Sequence, residues 1–301
     1  MKEIIEQLRI EDVGIVLENE PLANHTTWKI GGPADILIQP KDKIGLVKAM
    51  KLVYKHQLPW RAIGKGSNLL VRDKGIRGVV FKLADGLNHL QFEDDVVHVG
   101  AGYSFIRLSV MAGKQGLTGL EFAGGIPGSV GGAVYMNAGA HGSEISRVFK
   151  SAEILLETGE LVQCLLEDMK FRYRHSLLQE QKGLVVSATL QLAHGDRKKI
   201  AEAMATHKDR RRLTQPLQQP CAGSVFRNPL PDHAGQLIEK AGLKGHRIGG
   251  AQVSEKHANF IVNIDKASAD DVLKLIKHIQ KVIADRYKVQ LIPEVEVLGE
   301  G

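Results

Sequence analysis

The sequence predicts an α+β fold, and three observations carry that expectation. Strand-like and helix-like patterning alternates through residues 34–114, with the hydrophobic period switching between about two and 3.6. Thr158 and Gly159 sit between two apolar runs and signal an antiparallel hairpin. Two glycine-rich stretches, residues 63–71 and 119–142, interrupt this β-rich sequence.

In chain order, residues 2–10 read as a short helix, and residues 24–32 as a loop entering a strand at 34–39. Ile44, Val47, Met50, Val53 and Tyr54 are spaced for a helix over 43–56. A strand at 60–63 leads into the first glycine-rich loop, followed by strands at 79–83 and 96–99 and a helix at 104–114. Beyond the second glycine-rich stretch come the hairpin 152–156 and 160–165, a strand at 184–192 and a helix at 197–212. Pro216 and Pro220 mark a compositional shift and a domain boundary. A helix at 234–241 stops at Gly242, and a strand is expected at 258–262. Ser268 and Asp271 form a capping-box start. Val272, Leu275, Ile276, Ile279, Val282 and Ile283 then make one apolar helical face, before a last strand at 290–298.

The 301 residues leave room for two or three domains, and 43% hydrophobic with 25% charged residues is ordinary for a soluble protein. Two cysteines, Cys164 and Cys221, are too few for a disulfide framework or a four-cysteine zinc site, and point to a reducing cytoplasm. No histidine pair has metalloprotease spacing, so no metal is expected. Glu3 and Glu6 within the first apolar pattern argue against a signal peptide. Residues 123–142 carry no charge, but seven glycines and Pro127 argue against a membrane span. The net charge of +6 suits anionic ligands. Lys208, Arg210, Arg211 and Arg212 read as a solvated helix end that complements the helix dipole. Without interleaved aromatics they do not point to a nucleic-acid partner.

Glycine-rich loops bring bare backbone N–H groups close to a ligand and build an anion site without charged side chains. Neither stretch is a full G-x-G-x-x-G, and no P-loop exists, yet two such loops beside β-sequence favour a dinucleotide diphosphate. Four side chains elsewhere have both a plain and a chemical reading. Ser224, after Gly223, reads as a turn serine or as a proton donor. Arg172 and Arg174, two apart in an expected strand, read as a surface ion-pair face or as oxyanion stabilisers. Glu294, opposite Leu291, Pro293, Val295 and Val297, reads as a solvated face or as a proton relay.

Residues 24–32, 64–71, 119–142, 173–176, 222–229, 257–263 and 293–295 together resemble the UDP-N-acetylenolpyruvoylglucosamine reductase (UDP-N-acetylmuramate dehydrogenase) family, over roughly residues 24 to 298. The resemblance implies a vanillyl-alcohol-oxidase-like (PCMH-type) FAD-binding fold with a C-terminal α/β substrate domain. It divides the chain into 1–84 with the returning strand 288–301, then 85–204, then a substrate-binding part at 205–287. It implies non-covalent FAD, held by Gly64, Lys65, Gly66, Ser67 and Asn68 and by Gly125, Ser129 and Gly139, with NADPH as reductant. Ser224 matches the family's proton donor, and Arg174 and Glu294 match the pair at the enolpyruvyl carboxylate. Arg212, Asn228 and His257 match substrate contacts. No tyrosine lies between Arg174 and Ser224, which resembles the shorter second class lacking the tyrosine-lid insertion. The implied partners are small molecules, the UDP-sugar enolpyruvate and NADPH, with no nucleic acid and no membrane. The alternative is another non-covalent FAD oxidoreductase of the same fold.

Overall fold

A computed structural model describes residues 2–83 and 85–301, and the chain divides into two compact units. The expected boundary at residue 84 falls on a residue outside those described.

Unit 1 holds residues 2–18, 36–65 and 78–209. Its helices are α1 (Lys2–Ile10), α2 (Lys43–Lys55), α3 (Phe105–Lys114), α4 (Val130–Tyr135) and most of α5 (Arg197–Thr214). One sheet orders its strands Gly14–Pro21, Pro33–Pro40, Ile76–Lys82 and Trp60–Ile63, the last two parallel with Trp60 opposite Val79. The second is antiparallel throughout and runs Leu161–Leu165, Phe149–Leu156, Gly183–Gln191, Val96–Gly100, Leu90–Glu93. Ala152 lies opposite both Cys164 and Ala188, and Ala188 opposite Val99. Leu8, Ile36, Ile38, Leu46, Met50, Phe81 and Phe105 are fully or almost fully buried in this unit's core. The starts of α2 and α4 are closed by local side chains: Asp42 accepts from Gly45 N–H at 2.7 Å for α2, and Ser129 from Gly132 N–H at 3.4 Å for α4.

Unit 2 holds residues 19–35, 66–77 and 210–301. Helices α6 (Ala234–Lys240) and α7 (Ala269–Tyr287) share a core with the antiparallel strands Arg247–Ile248, Ala251–Val253 and Ile261–Asn263. Trp28 and Phe226 are buried with Val272, Leu275, Ile276, Ile279 and Ile283 of α7. The capping box at Ser268 and Asp271 is present. Asp73 adds a second cap, accepting from Ala269 N–H at 2.8 Å and Asp270 N–H at 3.1 Å. The strand Glu296–Leu298 pairs in parallel with Leu69–Val71.

Four expectations are corrected. The glycine-rich stretch contains a helix, the six-residue α4, because Ser129 and packed neighbours supply what glycine's weak propensity does not. Residues 172–175 form a turn rather than a strand, so Arg172 and Arg174 do not share a sheet face. The strand expected at 258–262 is Ile261–Asn263, since residues 258–260 turn to bond the serine segment. The last strand is confined to Glu296–Leu298, with one isolated bridge at Pro293. The strand Gly14–Pro21 gave no usable alternation, since Val16 is its one buried residue. No described helix is long and apolar enough to cross a membrane. Among the described residues, no group of three or more His, Cys, Asp or Glu is set to hold a metal ion.

Candidate active site

The expected site residues occur in both units, and each set has its own scaffold. Gly64, Lys65, Gly125, Ser129, Gly139 and Arg174 belong to unit 1. Gly66, Ser67, Asn68, Arg212, Ser224, Asn228, His257 and Glu294 belong to unit 2.

In unit 1 the two glycine-rich stretches meet. A Cβ on Gly64 would stand 2.3 Å from Ser129 Oγ, so only glycine leaves the serine hydroxyl in place to cap α4. The N–H groups of Val130 and Gly131 donate to the carbonyls of Tyr103 and Ala101 at 2.9 and 2.8 Å, and that of Gly132 reaches Ser129. Just before α4, the amides of Gly128 and Ser129 meet no acceptor among the described residues. The same holds for Lys65, Gly66 and Asn68 on the first loop. Uncommitted amides on glycine-bearing loops are the donors a diphosphate requires, so each loop taken by itself fits that part of FAD. Gly125 is buried at the end of the turn Glu121–Gly125.

Arg174 sits in a two-residue turn closed by Arg172 N–H to His175 O at 3.1 Å and His175 N–H to Arg172 O at 3.0 Å. Its φ is +54°, a left-handed conformation that costs a non-glycine residue about 1–2 kcal/mol. The surroundings hold it there. Its Nη2 donates to Gly139 O at 2.8 Å, and its guanidinium lies 5.0 Å from the Tyr173 ring centroid. Gln179 Nε2 donates to its carbonyl at 3.2 Å, and fully buried Asn137 donates to Arg172 O at 3.0 Å. Gly139 itself stands in a tight hairpin, where a Cβ would come within 2.5 Å of Ser143 O.

In unit 2 the serine segment lies beside Glu294. Glu294 N–H donates to Val225 O at 2.7 Å, Arg227 N–H to Ile292 O at 2.9 Å, and Phe226 bridges Pro293. Asn68 Nδ2 donates to Glu294 O at 3.1 Å, so Asn68 fixes Glu294 in addition to offering its amide. Ser224 is half-buried, and its hydroxyl makes no hydrogen bond among the described residues. Gly223 before it has φ +75° and faces Ser67 O. Thr27 Oγ1 donates to Cys221 O at 2.7 Å and Gly66 O at 3.3 Å, tying the first glycine-rich loop to the serine segment. Asn228 Oδ1 accepts from Ala234 N–H at the start of α6. His257 Nδ1 accepts from Asn259 N–H at 3.2 Å, which leaves Nε2 as the protonated nitrogen of the neutral ring. Burial lowers the His257 pKa, and Lys244 lowers it further, so the ring stays neutral. Arg212 is exposed near the end of α5, where its carbonyl accepts from Lys256 Nζ.

Sequence reasoning assigned no role to Thr27, Asn137, Gln179 or Asn259, the side chains that hold these segments. The available signal was a polar residue inside an apolar run, as for Asn259 between Ala258 and Phe260. It marks burial without naming a partner.

Comparison with known proteins matches residues 215–298 to the "UDP-N-acetylenolpyruvoylglucosamine reductase, C-terminal domain" family and residues 34–165 to an "FAD binding domain" family. A UDP-N-acetylenolpyruvoylglucosamine reductase of Anoxybacillus flavithermus is 58% identical over 300 residues, 99% of each chain. The crystal structure of the corresponding reductase from Thermus caldophilus superposes with a TM-score of 0.81 at 36% identity, covering 95% of this chain and 98% of that one. Berberine bridge enzyme from Eschscholzia californica, at 14% identity and a TM-score of 0.51 over 64% of this chain and 44% of its own, shares the fold. The chain therefore belongs to the UDP-N-acetylenolpyruvoylglucosamine reductase family, FAD-dependent oxidoreductases of peptidoglycan precursor synthesis with a vanillyl-alcohol-oxidase-like FAD-binding fold.

Proposed function

We propose that this chain reduces UDP-N-acetylglucosamine enolpyruvate to UDP-N-acetylmuramate in the cytoplasm, with NADPH as the reductant. When bound, FAD would supply the hydride chemistry between NADPH and C3 of the enolpyruvyl ether. Addition at C3 leaves negative charge at C2, delocalised into the neighbouring carboxylate, and the protein must hold that charge and supply one proton. Ser224 gives its hydroxyl proton to C2. Arg174 stabilises the charged carboxylate, and Glu294 polarises the same group and supports proton delivery. The amides of Lys65, Gly66, Asn68, Gly128 and Ser129 hold the FAD diphosphate. Arg212, Asn228 and His257, in the part at 205–287, hold the UDP-sugar, with His257 offering a neutral Nε2–H donor.

The observation that carries this reading is the link between Ser224 and Glu294. The residue after the serine accepts from the glutamate's own N–H at 2.7 Å, while the serine hydroxyl is left uncommitted. A general acid contributes about 10²–10⁴ in rate, or about 3–5 kcal/mol of barrier. Ser224→Ala is therefore expected to slow the enolpyruvyl half-reaction by about that factor in stopped-flow absorbance, with FAD reduction by NADPH near wild type. Equal loss in both halves would indicate damaged FAD binding, and loss in neither would remove Ser224 from the reaction.

A further inference from the structure

We infer that Asn259 is the positioning residue for Ser224, an inference that rests on the reading of Ser224 as the acid. Asn259 is 4% exposed, and its side-chain amide bonds both polar groups of one peptide residue. Its Oδ1 accepts from Phe226 N–H at 2.9 Å, and its Nδ2 donates to Phe226 O at 2.8 Å. Its backbone carbonyl accepts from Val225 N–H at 2.8 Å. A planar amide with one donor and one acceptor thus does the work of a neighbouring strand where no strand runs.

The other edge of the same segment bonds residues 292–294, through Arg227 N–H to Ile292 O and Glu294 N–H to Val225 O. Residues 225–227 are therefore held from two sides, by Asn259 and by the stretch that carries Glu294. Ser224 lies between that pinned segment and Gly223, whose φ of +75° fixes the turn before it. The serine's backbone has little freedom left, and the direction of its hydroxyl follows from where residues 225 and 226 are held. Asn259 touches none of the reacting atoms in this account; it acts through Ser224.

Asparagine is required because each replacement breaks one half of the pairing. Asn259→Asp keeps the shape and removes the donor, so a carboxylate oxygen faces Phe226 O. A displacement of order 1 Å at a reacting group costs about a hundredfold. In the FAD-loaded enzyme, Asn259→Asp is expected to slow the enolpyruvyl half-reaction by about that factor while FAD reduction by NADPH is unchanged. Amide hydrogen exchange should show lost protection confined to residues 225–227 and 294. Residues acting as one unit are non-additive, so Asn259→Asp combined with Ser224→Ala should be no slower than Ser224→Ala alone.

Multiplying effects in the double variant, or an unchanged half-reaction in Asn259→Asp, would overturn the inference. If Ser224→Ala alone leaves the rate intact, the acid assignment is what fails, and the exchange pattern of Asn259→Asp separates the two cases. Should Asn259→Asp not fold, Asn259→Ser retains a hydroxyl that can serve one side of Phe226, and the same double-variant comparison applies.

Discussion

Arg174 holds a left-handed backbone that a glycine would adopt freely, and five neighbouring residues keep it there: Asn137, Gly139, Tyr173, His175 and Gln179. Strain of this kind persists where the surroundings over-determine it, and it directs one guanidinium. Gly64 is the converse case, a position where any side chain intrudes. Gly64→Ala places a methyl against Ser129 Oγ, which must rotate and release the cap of α4. FAD affinity should weaken about tenfold, or about 1.4 kcal/mol, in a fluorescence titration. An unchanged Kd would take Gly64 out of the cofactor site. His257 gives a pH signature. Its folded pKa lies below the ordinary value of 6.5, because burial and then Lys244 disfavour the charged ring. Above 6.5 both folded and unfolded states are neutral, and as the pH falls below 6.5 the unfolded chain takes up the proton first. Stability is thus lost with acidification in that window. His278, also lowered by burial and by His246 and Lys281, adds in the same direction. His257→Asn keeps an acceptor for Asn259 N–H and removes the titration, so its Tm should fall less than wild type on crossing 6.5 downward.

At the scale of elements, α7 and α4 mark two extremes of legibility. Helix α7 has a capping box at its start and an apolar stripe that becomes its buried face, and both lie within a few residues of sequence. Ser268→Ala should cost about 1 kcal/mol in denaturant unfolding, the usual worth of an N-cap serine. Asp73, which also caps this helix, limits the loss, so Ser268→Ala together with Asp73→Ala should destabilise more than Ser268→Ala alone. Helix α4 has the N-cap Ser129 but no capping box. Its glycines weaken it, and its first amides are satisfied by Tyr103 and Ala101, about thirty residues earlier. Residues 172–175 read as a strand in sequence because alternating polar and aromatic residues look alike in a strand and in a tight turn.

At the scale of the whole molecule, the net charge of +6 accords with FAD and with the proposed nicotinamide dinucleotide and UDP-sugar, all of them anionic. The first glycine-rich loop continues Gly66, Ser67, Asn68 with no histidine to attach a flavin. Acid precipitation of the purified protein should therefore release all yellow colour into the supernatant. Flavin retained in the pellet would mean a covalent bond through some other residue. Free FAD added to the stripped protein should raise Tm with concentration, as a ligand that binds only the native state must.

The sequence by itself determined the α+β class, most helices and strands, the two glycine-rich loops and the family. These rest on periodicity, turn chemistry and motif order, all read along the chain. Tertiary structure alone decided which amides stay uncommitted on those loops, the left-handed turn under Arg174, and the two-sided clamp on residues 225–227. Asn259 reaches back 33 residues to Phe226, and Thr27 reaches forward 194 residues to Cys221. A buried amide takes whichever unpaired backbone group folding brings within about 3 Å. Nothing in its own neighbourhood names that partner, so such bonds become visible only once distant segments are packed together.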